Sequence, residues 1–379
     1  MAPFEEIMRS NLRLPPNSYI YKMQSTAPRQ DPLTYTQTDQ LAFISSDDSL
    51  RILDPNFARE PIPVRIIEHV NQSVTCLESA DHPQGGIVVT AGRDGFVNFW
   101  DKRSQNKIIS VKSPEQLISS VVCNMQQNFL AAGIENPDDG TGVSPVYVWD
   151  QRNIQKPLLE LVESHTDTVT SLQLHPSLPT LLLSSSTDGL VNIFDISKPD
   201  EEEALYQVIN HRSAVAHAGF MFPSTDIYAL GTDETMSFYT LQSQEEEEEE
   251  PAPKAFGDVR EQLGCDSSSL DLIPIERNPR GSPLQYEFDL QKSIQIPGAH
   301  DGEIVRDIFT DVHSHTTYTC GEDGTVRGWK FPSEEGMSIE DNAEPVQKKL
   351  ESKKVKRKER KEKRKGDADE GKVARYKPY

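Results

Sequence analysis

The chain of 379 residues has little cysteine, only three tryptophans and no long apolar run. Its four cysteines, Cys76, Cys123, Cys265 and Cys320, are dispersed and form no C-x-x-C pair. This pattern predicts free thiols in a reducing compartment, rather than a disulfide framework or a metal site. No stretch approaches the roughly 18 consecutive apolar residues of a membrane-spanning helix, and no signal-peptide core is visible. We therefore expect neither membrane insertion nor secretion.

The sequence also lacks the short motifs of common enzyme classes. It contains no glycine-rich phosphate loop, no H-E-x-x-H and no G-x-S-x-G. We predict no catalytic residue, no metal ligand and no cofactor, and hence a protein that is not an enzyme.

Charge is abundant but unevenly distributed. Residues 348–377 hold 15 Lys/Arg against 6 Asp/Glu, whereas the remainder holds 24 basic and 54 acidic residues, a net charge of −30. The acidic part is expected to repel nucleic acid and to attract basic partners, and the basic tail to do the reverse. Aromatic residues that could stack on bases are missing from the tail until Tyr376, so nucleic-acid binding is expected only weakly, through the tail.

One pattern, a strand followed by a tight turn and a second strand, recurs along the chain. In its best copy, 87–103, Asp94-Gly95 supplies a turn that needs positive φ, and Trp100 closes the second strand. In five copies the closing apolar residue follows the turn aspartate by six positions: Asp47 to Leu53, Asp94 to Trp100, Asp188 to Phe194, Asp233 to Tyr239 and Asp323 to Trp329. Four of these aspartates follow a histidine by 22 to 25 residues: His69, His165, His211 and His300.

At these residues the chain resembles the WD-repeat family of β-propellers, whose repeats of roughly 40–45 residues each form a four-stranded blade. The closing residues at 53, 100, 149, 194 and 239 are 45 to 49 residues apart, and a double interval precedes 329. The resemblance predicts an all-β, seven-bladed propeller whose sixth blade, within 255–299, is degenerate or incomplete. More narrowly, the order of blades, the acidic insertion and the Lys-rich tail resemble the WD repeat-containing protein 89 group.

Three regions are predicted: a flexible lead over 1–17, the propeller over 18–331 with an acidic insertion at 243–254, and a disordered Lys/Arg-rich tail over 332–379. By resemblance, a strand at 18–24 completes the last blade and closes the ring. In the family, the upstream histidine and the turn aspartate are hydrogen-bonded and lock each blade. The resemblance implies this structural role for His69 with Asp94, His165 with Asp188, His211 with Asp233 and His300 with Asp323, beside the closing Trp100 and Trp329.

Two W-D-x-R sequences, at 100–103 and 149–152, resemble a box found in substrate receptors of cullin-RING ubiquitin ligases, where the arginine contacts a ligase adaptor. The same sequence also ends ordinary strands in many WD-repeat proteins. The candidate adaptor-binding residues are Asp101, Arg103, Asp150 and Arg152.

The basic tail is typical of a nuclear-import signal, although a solvated charge run has the same composition. The candidate import residues are Lys348, Lys349, Lys353, Lys354, Lys356, Arg357, Lys358, Arg360, Lys361, Lys363, Arg364 and Lys365. We expect a non-catalytic protein-interaction scaffold, monomeric within larger complexes, in the nucleus and secondarily the cytoplasm. Its expected work is assembly of ribosomal or chromatin complexes with other, in part basic, proteins. The alternative function is that of a ubiquitin-ligase substrate receptor.

Overall fold

A computed structural model describes residues 5–27, 40–56, 61–80, 86–137, 142–221, 225–242, 251–264, 269–277, 285–311 and 314–330. These residues contain 28 β-strands, two short α-helices and two 3₁₀ turns. Twenty-four strands form six antiparallel four-stranded sheets, and the remaining four form two two-stranded ladders. The described part of the chain is therefore all-β in character.

The chain starts with β1 (Glu5–Ser10), and five sheets follow, which we call blades 1 to 5. Blade 1 comprises β2 (Ile20–Ser25), β3 (Leu41–Ser45), β4 (Leu50–Leu53) and β5 (Arg65–Ile67). Blade 2 comprises β6 (Val74–Ser79), β7 (Ile87–Gly92), β8 (Phe96–Asp101) and β9 (Lys107–Lys112). Blade 3 comprises β10 (Ile118–Asn124), β11 (Phe129–Ile134), β12 (Val146–Asp150) and β13 (Leu159–Leu161).

Blade 4 comprises β14 (Val169–Leu174), β15 (Leu181–Ser186), β16 (Leu190–Asp195) and, after helix α1 (Glu201–Ala204), β17 (Leu205–Asn210). Blade 5 comprises β18 (Val215–Phe220), β19 (Ile227–Gly231), β20 (Thr235–Tyr239) and β21 (Lys254–Asp258), which helix α2 (Val259–Leu263) follows. The ladders use β22 (Ser269–Leu272), β23 (Ile275–Arg277), β24 (Tyr286–Phe288) and β25 (Ile294–Pro297). The closing blade comprises β26 (Val305–Asp311), β27 (Thr316–Gly321), β28 (Val326–Lys330) and β1.

The blades are held together face to face by apolar side chains. The second strands β3, β11, β15 and β27 are buried along their whole length, because both of their faces are covered. Each of five core clusters joins two successive blades, from the closing blade with blade 1 to blade 4 with blade 5. Fully burying one Val, Leu or Phe side chain contributes roughly 1.5–3 kcal/mol, so these shared faces supply most of the stability.

Each blade's first strand carries a β-bulge immediately after its first residue. These first strands contact each other in the order β26, β2, β6, β10, β14, β18 and so form the inner wall of the propeller. A bulge redirects one side chain out of the ladder. The bulged Thr75 donates its hydroxyl to the Ile118 carbonyl at 2.6 Å, and the bulged Ser119 donates to the Val169 carbonyl at 2.6 Å. The bulges therefore join neighbouring blades by hydrogen bonds.

The ring closes through β1, which lies within the segment predicted as a flexible lead. It pairs antiparallel with β28, from Glu5 opposite Lys330 to Ser10 opposite Val326. The strand expected at 18–24 to complete the last blade is instead β2, the first strand of blade 1. Met8 explains why β1 closes the ring, because its buried side chain packs against the core shared by the closing blade and blade 1.

The prediction of seven blades is wrong, because the described residues form six four-stranded blades. Where the seventh was expected, β22 pairs with β25 and β23 pairs with β24. The β23–β24 ladder lies inside the β22–β25 ladder in the chain order, so the two form one long, interrupted hairpin. Residues 273–274 separate β22 from β23, and residues 289–293, with a 3₁₀ turn at Leu290–Lys292, separate β24 from β25. β21, which lies within the extra interval, completes blade 5.

The interrupted hairpin contacts the blades before and after it. Its tip packs on blade 5, where the Tyr286 ring stacks on Phe238 with centroids 4.2 Å apart. Its base packs on the closing blade, where Leu270 and Ile296 contact Trp329 in one cluster. The two-stranded hairpin thus packs against blade 5 and against the closing blade, the two blades that a seventh blade would have contacted. Neither helix in the described ranges has the length and apolar content needed to cross a membrane.

We predict that Met8→Asp destabilises the protein by about 3 kcal/mol or more, because it places an unpaired charge in the closing core. Ile7→Asp is the matched control, since Ile7 points outward from the same strand and is 39% exposed, against 3% for Met8. Its expected cost is within about 1 kcal/mol. Urea denaturation of both variants measures the difference; equal costs would show that β1 does not close the ring.

Candidate functional site

Two of the predicted histidine–aspartate pairs are in contact in the structure. His165 Nδ1 lies 3.0 Å from Asp188 Oδ2, and its Nε2 lies 2.8 Å from the Ser184 hydroxyl. His300 Nδ1 lies 2.8 Å from Asp323 Oδ1, and its Nε2 lies 2.8 Å from Thr319 Oγ1. Trp329 extends the second chain by donating Nε1–H to the same threonine hydroxyl at 2.8 Å. Each lock thus ties the entry loop, the turn and the second strand of one blade together.

The locks are built for stability rather than for proton transfer. Burial alone would raise the pKa of the Asp188 carboxyl, but the hydrogen bond and charge of His165, with two backbone N–H groups, outweigh it and lower that pKa. The pKa of Asp323 is lowered in the same way by His300 and Thr325. Both nitrogens of each buried imidazole are engaged, so neither is available to a substrate.

In blade 2 the predicted pair of His69 with Asp94 is replaced by one with Asn71. The Asn71 amide donates to Asp94 Oδ1 at 3.0 Å, and its carbonyl accepts from the Thr90 hydroxyl at 2.7 Å. Trp100 donates Nε1–H to Thr90 at 2.9 Å, as Trp329 does to its threonine. Asn71 precedes Asp94 by 23 residues, the interval found in both histidine locks, whereas His69 precedes it by 25. That shared interval is the signal that could have identified Asn71.

His211 in blade 5 does not reach Asp233 directly. Its Nε2 lies 3.2 Å from Thr235 Oγ1, and that hydroxyl donates to Asp233 Oδ1 at 2.6 Å. The Tyr239 hydroxyl lies 3.2 Å from the other ring nitrogen. Burial lowers the pKa of His211, against the opposing effects of Thr235 and Asp233. The interval here is 22 residues, and the threonine bridges the pair.

Buried arginines, which sequence analysis did not single out, hold two of the turns. Arg51 pairs with the turn carboxylate Asp47 at 2.9 Å and is 4% exposed. Arg327 pairs with Asp323 at 2.8 Å and is 3% exposed. Each arginine follows its aspartate by four residues, so the spacing D-x-x-x-R was the available signal.

In each W-D-x-R sequence the Trp and Asp end a strand, β8 or β12, and the arginine lies in the exposed turn that follows. Asp101 accepts the Arg103 N–H at 2.8 Å, and Asp150 accepts the Arg152 N–H at 2.9 Å, so both aspartates cap their turns. Arg152 also donates its Nε–H to Asp150 at 2.9 Å, and its hydrogen bonds lower the pKa of that carboxyl to about 2. The candidate import residues from Lys348 to Lys365 and the acidic tract at 245–250 lie outside the described residues.

Titratable groups gather on one side of the inner wall. Lys22 Nζ lies 3.4 Å from Glu78 Oε1, and Asp307 Oδ2 accepts the Met23 N–H at 2.8 Å. Burial raises the pKa of Asp307 despite that bond, and burial together with the charge of Lys22 lowers the pKa of His217. Within the described ranges no group of three or more His, Cys, Asp or Glu side chains is placed to hold a metal ion.

Exposed aromatic and arginine side chains lie on the closing blade, blade 1 and blade 2, at the end of the blades that carries the turn aspartates. We call this the turn end. Tyr19 and Tyr21 are 43% and 38% exposed, with ring centroids 6.5 Å apart. Burial, then the charge of Asp48, raises the pKa of Tyr21, while Arg306 and Arg93 act on it in the opposite sense. We call Tyr19, Tyr21, Arg93 and Arg306 the turn-end patch. Arg93 pairs with Glu135 and Arg306 pairs with Glu322, so both guanidinium groups are held in place.

Four-stranded blades with recurrent turn locks define a β-propeller of the WD-repeat type. The family model "WD domain, G-beta repeat" matches residues 62–101 and 155–195. The chain is 32% identical over 305 residues to the uncharacterized WD repeat-containing protein YNL035C of Saccharomyces cerevisiae, covering 75% of this chain and 74% of that protein. It is 28% identical over 287 residues to the uncharacterized WD repeat-containing protein C63.06 of Schizosaccharomyces pombe, covering 70% and 85% respectively.

A WD repeat-containing protein 89 homolog of Dictyostelium discoideum is 22% identical over 260 residues, covering 64% of this chain and 67% of that protein. The chain belongs to the WD-repeat family, which confirms the resemblance seen in the sequence. Propellers of this family are typically non-catalytic and serve as scaffolds that bind other proteins.

We predict that Asn71→Ala destabilises the protein as His165→Ala does, by about 1–3 kcal/mol, because each removes the side-chain donor of a turn carboxylate. His69→Ala is the control, and its expected effect is within about 0.5 kcal/mol, since the side chain is exposed. Thermal and urea denaturation of the three variants measure this order. A cost for His69→Ala equal to that for Asn71→Ala would contradict the assignment of the blade 2 lock.

Proposed function

We propose that this protein is a non-catalytic interaction scaffold that binds its partners through the turn-end patch. The observation that carries the proposal is the exposure of two tyrosines and two arginines together on adjacent rigid blades. Tyrosine and arginine are enriched among the residues that dominate binding energy at protein interfaces. Ile304, 57% exposed at the entry to the closing blade, adds apolar area at the same end.

The rigidity of the patch supports this role. The Tyr19 backbone is fixed by Ser46, whose N–H donates to the Tyr19 carbonyl at 3.0 Å and whose hydroxyl accepts the Tyr19 N–H at 3.0 Å. Arg93 lies in the blade 2 turn, and its N–H donates to the Ser73 carbonyl at 3.1 Å. Side chains held by the scaffold lose little conformational entropy on binding, so more of the contact energy is available for affinity.

The proposed partners are basic proteins, in assembly of ribosomal or chromatin complexes, and the proposed location is the nucleus. The net charge of −30 outside residues 348–377 supports attraction of basic partners. The Lys/Arg-rich residues 348–365 support nuclear import, because import receptors bind such clusters.

Replacing Tyr19, Tyr21 and Arg306 by alanine should reduce recovery of specific partners at least tenfold, because it removes the anchoring side chains of the patch. Quantitative affinity purification with mass spectrometry measures recovery. Leu158→Ala/Val208→Ala is the control, since both side chains are strongly exposed on blades 3 and 4. Both variants should keep the native melting temperature. Unchanged partners in the triple variant would reject the patch as the binding surface.

Deletion of 347–379 should abolish nuclear accumulation, and the same segment fused to a cytoplasmic reporter should import it. Replacing the twelve candidate lysines and arginines by glutamine is the matched control for chain length, and this variant should remain outside the nucleus. Fluorescence imaging of the three proteins is the measurement. Nuclear accumulation of the glutamine variant equal to that of the natural chain would reject the signal.

A further inference from the structure

A cavity of about 390 Å³ opens between blades 1 and 2, on the outer side of the blade 2 lock. Its lining includes Asp48 from the blade 1 turn, His69 and Asn71 from the entry loop of blade 2, and Asp94 from the blade 2 turn. Phe96 and Lys107 complete the part of the wall that concerns recognition. The turn-end patch lies nearby, since Asp48 also acts on the pKa of Tyr21.

The local sequence of blade 2 explains the cavity. A short asparagine makes the lock that an imidazole makes in blade 4 and the closing blade, so less side-chain volume fills the entry loop. His69 is left at the surface with its backbone in the left-handed region, at φ 56°, and makes no hydrogen bond to any described residue. Lys107 lies opposite Trp100 in the ladder, whereas Leu205 occupies the corresponding place in blade 4.

The charges in the cavity favour a cationic guest. Asp48 accepts two backbone N–H groups, from Ser73 at 3.2 Å and Val74 at 2.8 Å, and a carboxylate can accept about four. Asp94 adds a second negative charge, although its oxygens already accept from the Asn71 amide and from the Gln72 and Phe96 N–H groups. The opposing charge is Lys107, whose ammonium lies 5.9 Å from the centroid of the Trp100 ring and pairs with no carboxylate among the described residues. Two carboxylates thus face one ammonium group.

The cavity also offers an apolar surface to the stem of a long side chain. Phe96 is 36% exposed at its wall, and Val70 lies behind it in the lining. Lysine and arginine carry three or four methylene groups that pack on apolar surfaces while their charged ends stay near water. An arginine guanidinium can also stack on an aromatic face.

We propose that this cavity binds a lysine or arginine side chain from an extended basic segment of a partner protein. The inference rests on the proposed function, because it names the chemistry by which the scaffold would recognise basic partners. The cation lies against Asp48, the Asp94 carboxylate adds negative charge beside it, and the methylene stem of the guest lies against Phe96. The general negative charge of the propeller raises the encounter rate, and the cavity selects the side chain.

The test uses the full-length protein and a synthetic peptide in which arginine and lysine alternate with glycine, with binding measured by fluorescence anisotropy. The comparison peptide carries citrulline and acetyl-lysine, which keep the shape and remove the charge. Lys107→Glu and His69→Glu should each tighten binding of the basic peptide by about threefold to tenfold, and His69→Lys should weaken it by a similar factor. The neutral peptide should bind at least tenfold more weakly to the natural protein.

The control variants repeat the same charge changes on the exposed surface of blade 4: Lys198→Glu, Leu205→Glu and Leu205→Lys. These should change the affinity less than about twofold, since general electrostatics act on both blades alike. The six variants change four positions, all of them exposed, and matching melting temperatures check that the fold is retained. Equal shifts on blade 4 and blade 2 would overturn the proposal, as would weaker binding by Lys107→Glu, which would indicate an anionic guest.

The outcomes also separate this inference from the proposed function. If the natural protein fails to bind the basic peptide while cellular partners still depend on the turn-end patch, the cavity proposal fails and the scaffold proposal stands. If the peptide follows the predicted order of variants while the patch variant keeps all its partners, the patch fails as the binding surface and the cavity remains a binding site.

Discussion

A carboxylate in a tight turn, held by a donor from the loop that enters the same blade, is the contact on which the turn end of this propeller depends. His165 supplies the donor in blade 4, His300 in the closing blade and Asn71 in blade 2. Each contact fixes the turn relative to the entry loop and the second strand of its blade. Because the turn-end patch and the cavity are both built from turn and entry-loop residues, their geometry follows from these locks.

The lock tolerates a change of chemistry as long as its geometry is kept. Imidazole and carboxamide side chains both bridge the turn aspartate and a hydroxyl group. The hydroxyl residue, Ser184, Thr319 or Thr90, follows the bridging histidine or asparagine by 19 positions. Arg51 holds the blade 1 turn in a different way, by a buried ion pair. The substitution in blade 2 has a second effect, because it frees His69 and leaves room beside Asp94. Variation in a structural residue has thus created a distinctive surface without breaking the fold.

The fold class could be read from the sequence because it depends on a period, and a period survives loss of individual residues. The number of blades could not be read from the sequence. The double interval before Trp329 shows that enough residues are present for a further blade, but it does not show how their strands pair. Strand β1 was not predicted because an edge strand with one covered face buries few apolar side chains, here mainly Met8, and so leaves a weak sequence pattern. The Asn71 lock was hidden by a nearby histidine, although the 23-residue interval pointed to it. The turn-end patch joins residues far apart in the chain, which no local pattern reveals.

The pairing of β1 with β28 has a consequence for synthesis of the protein. β1 is made before every other described strand, and its partner strand is made more than 300 residues later. At about 5–20 residues per second, the nascent chain waits on the order of tens of seconds before the circle can close. Throughout that interval the earliest blade lacks its neighbour and β1 lacks a ladder. Unpaired strand edges recruit other chains, so a product truncated before Val326 should aggregate rather than persist as a smaller propeller.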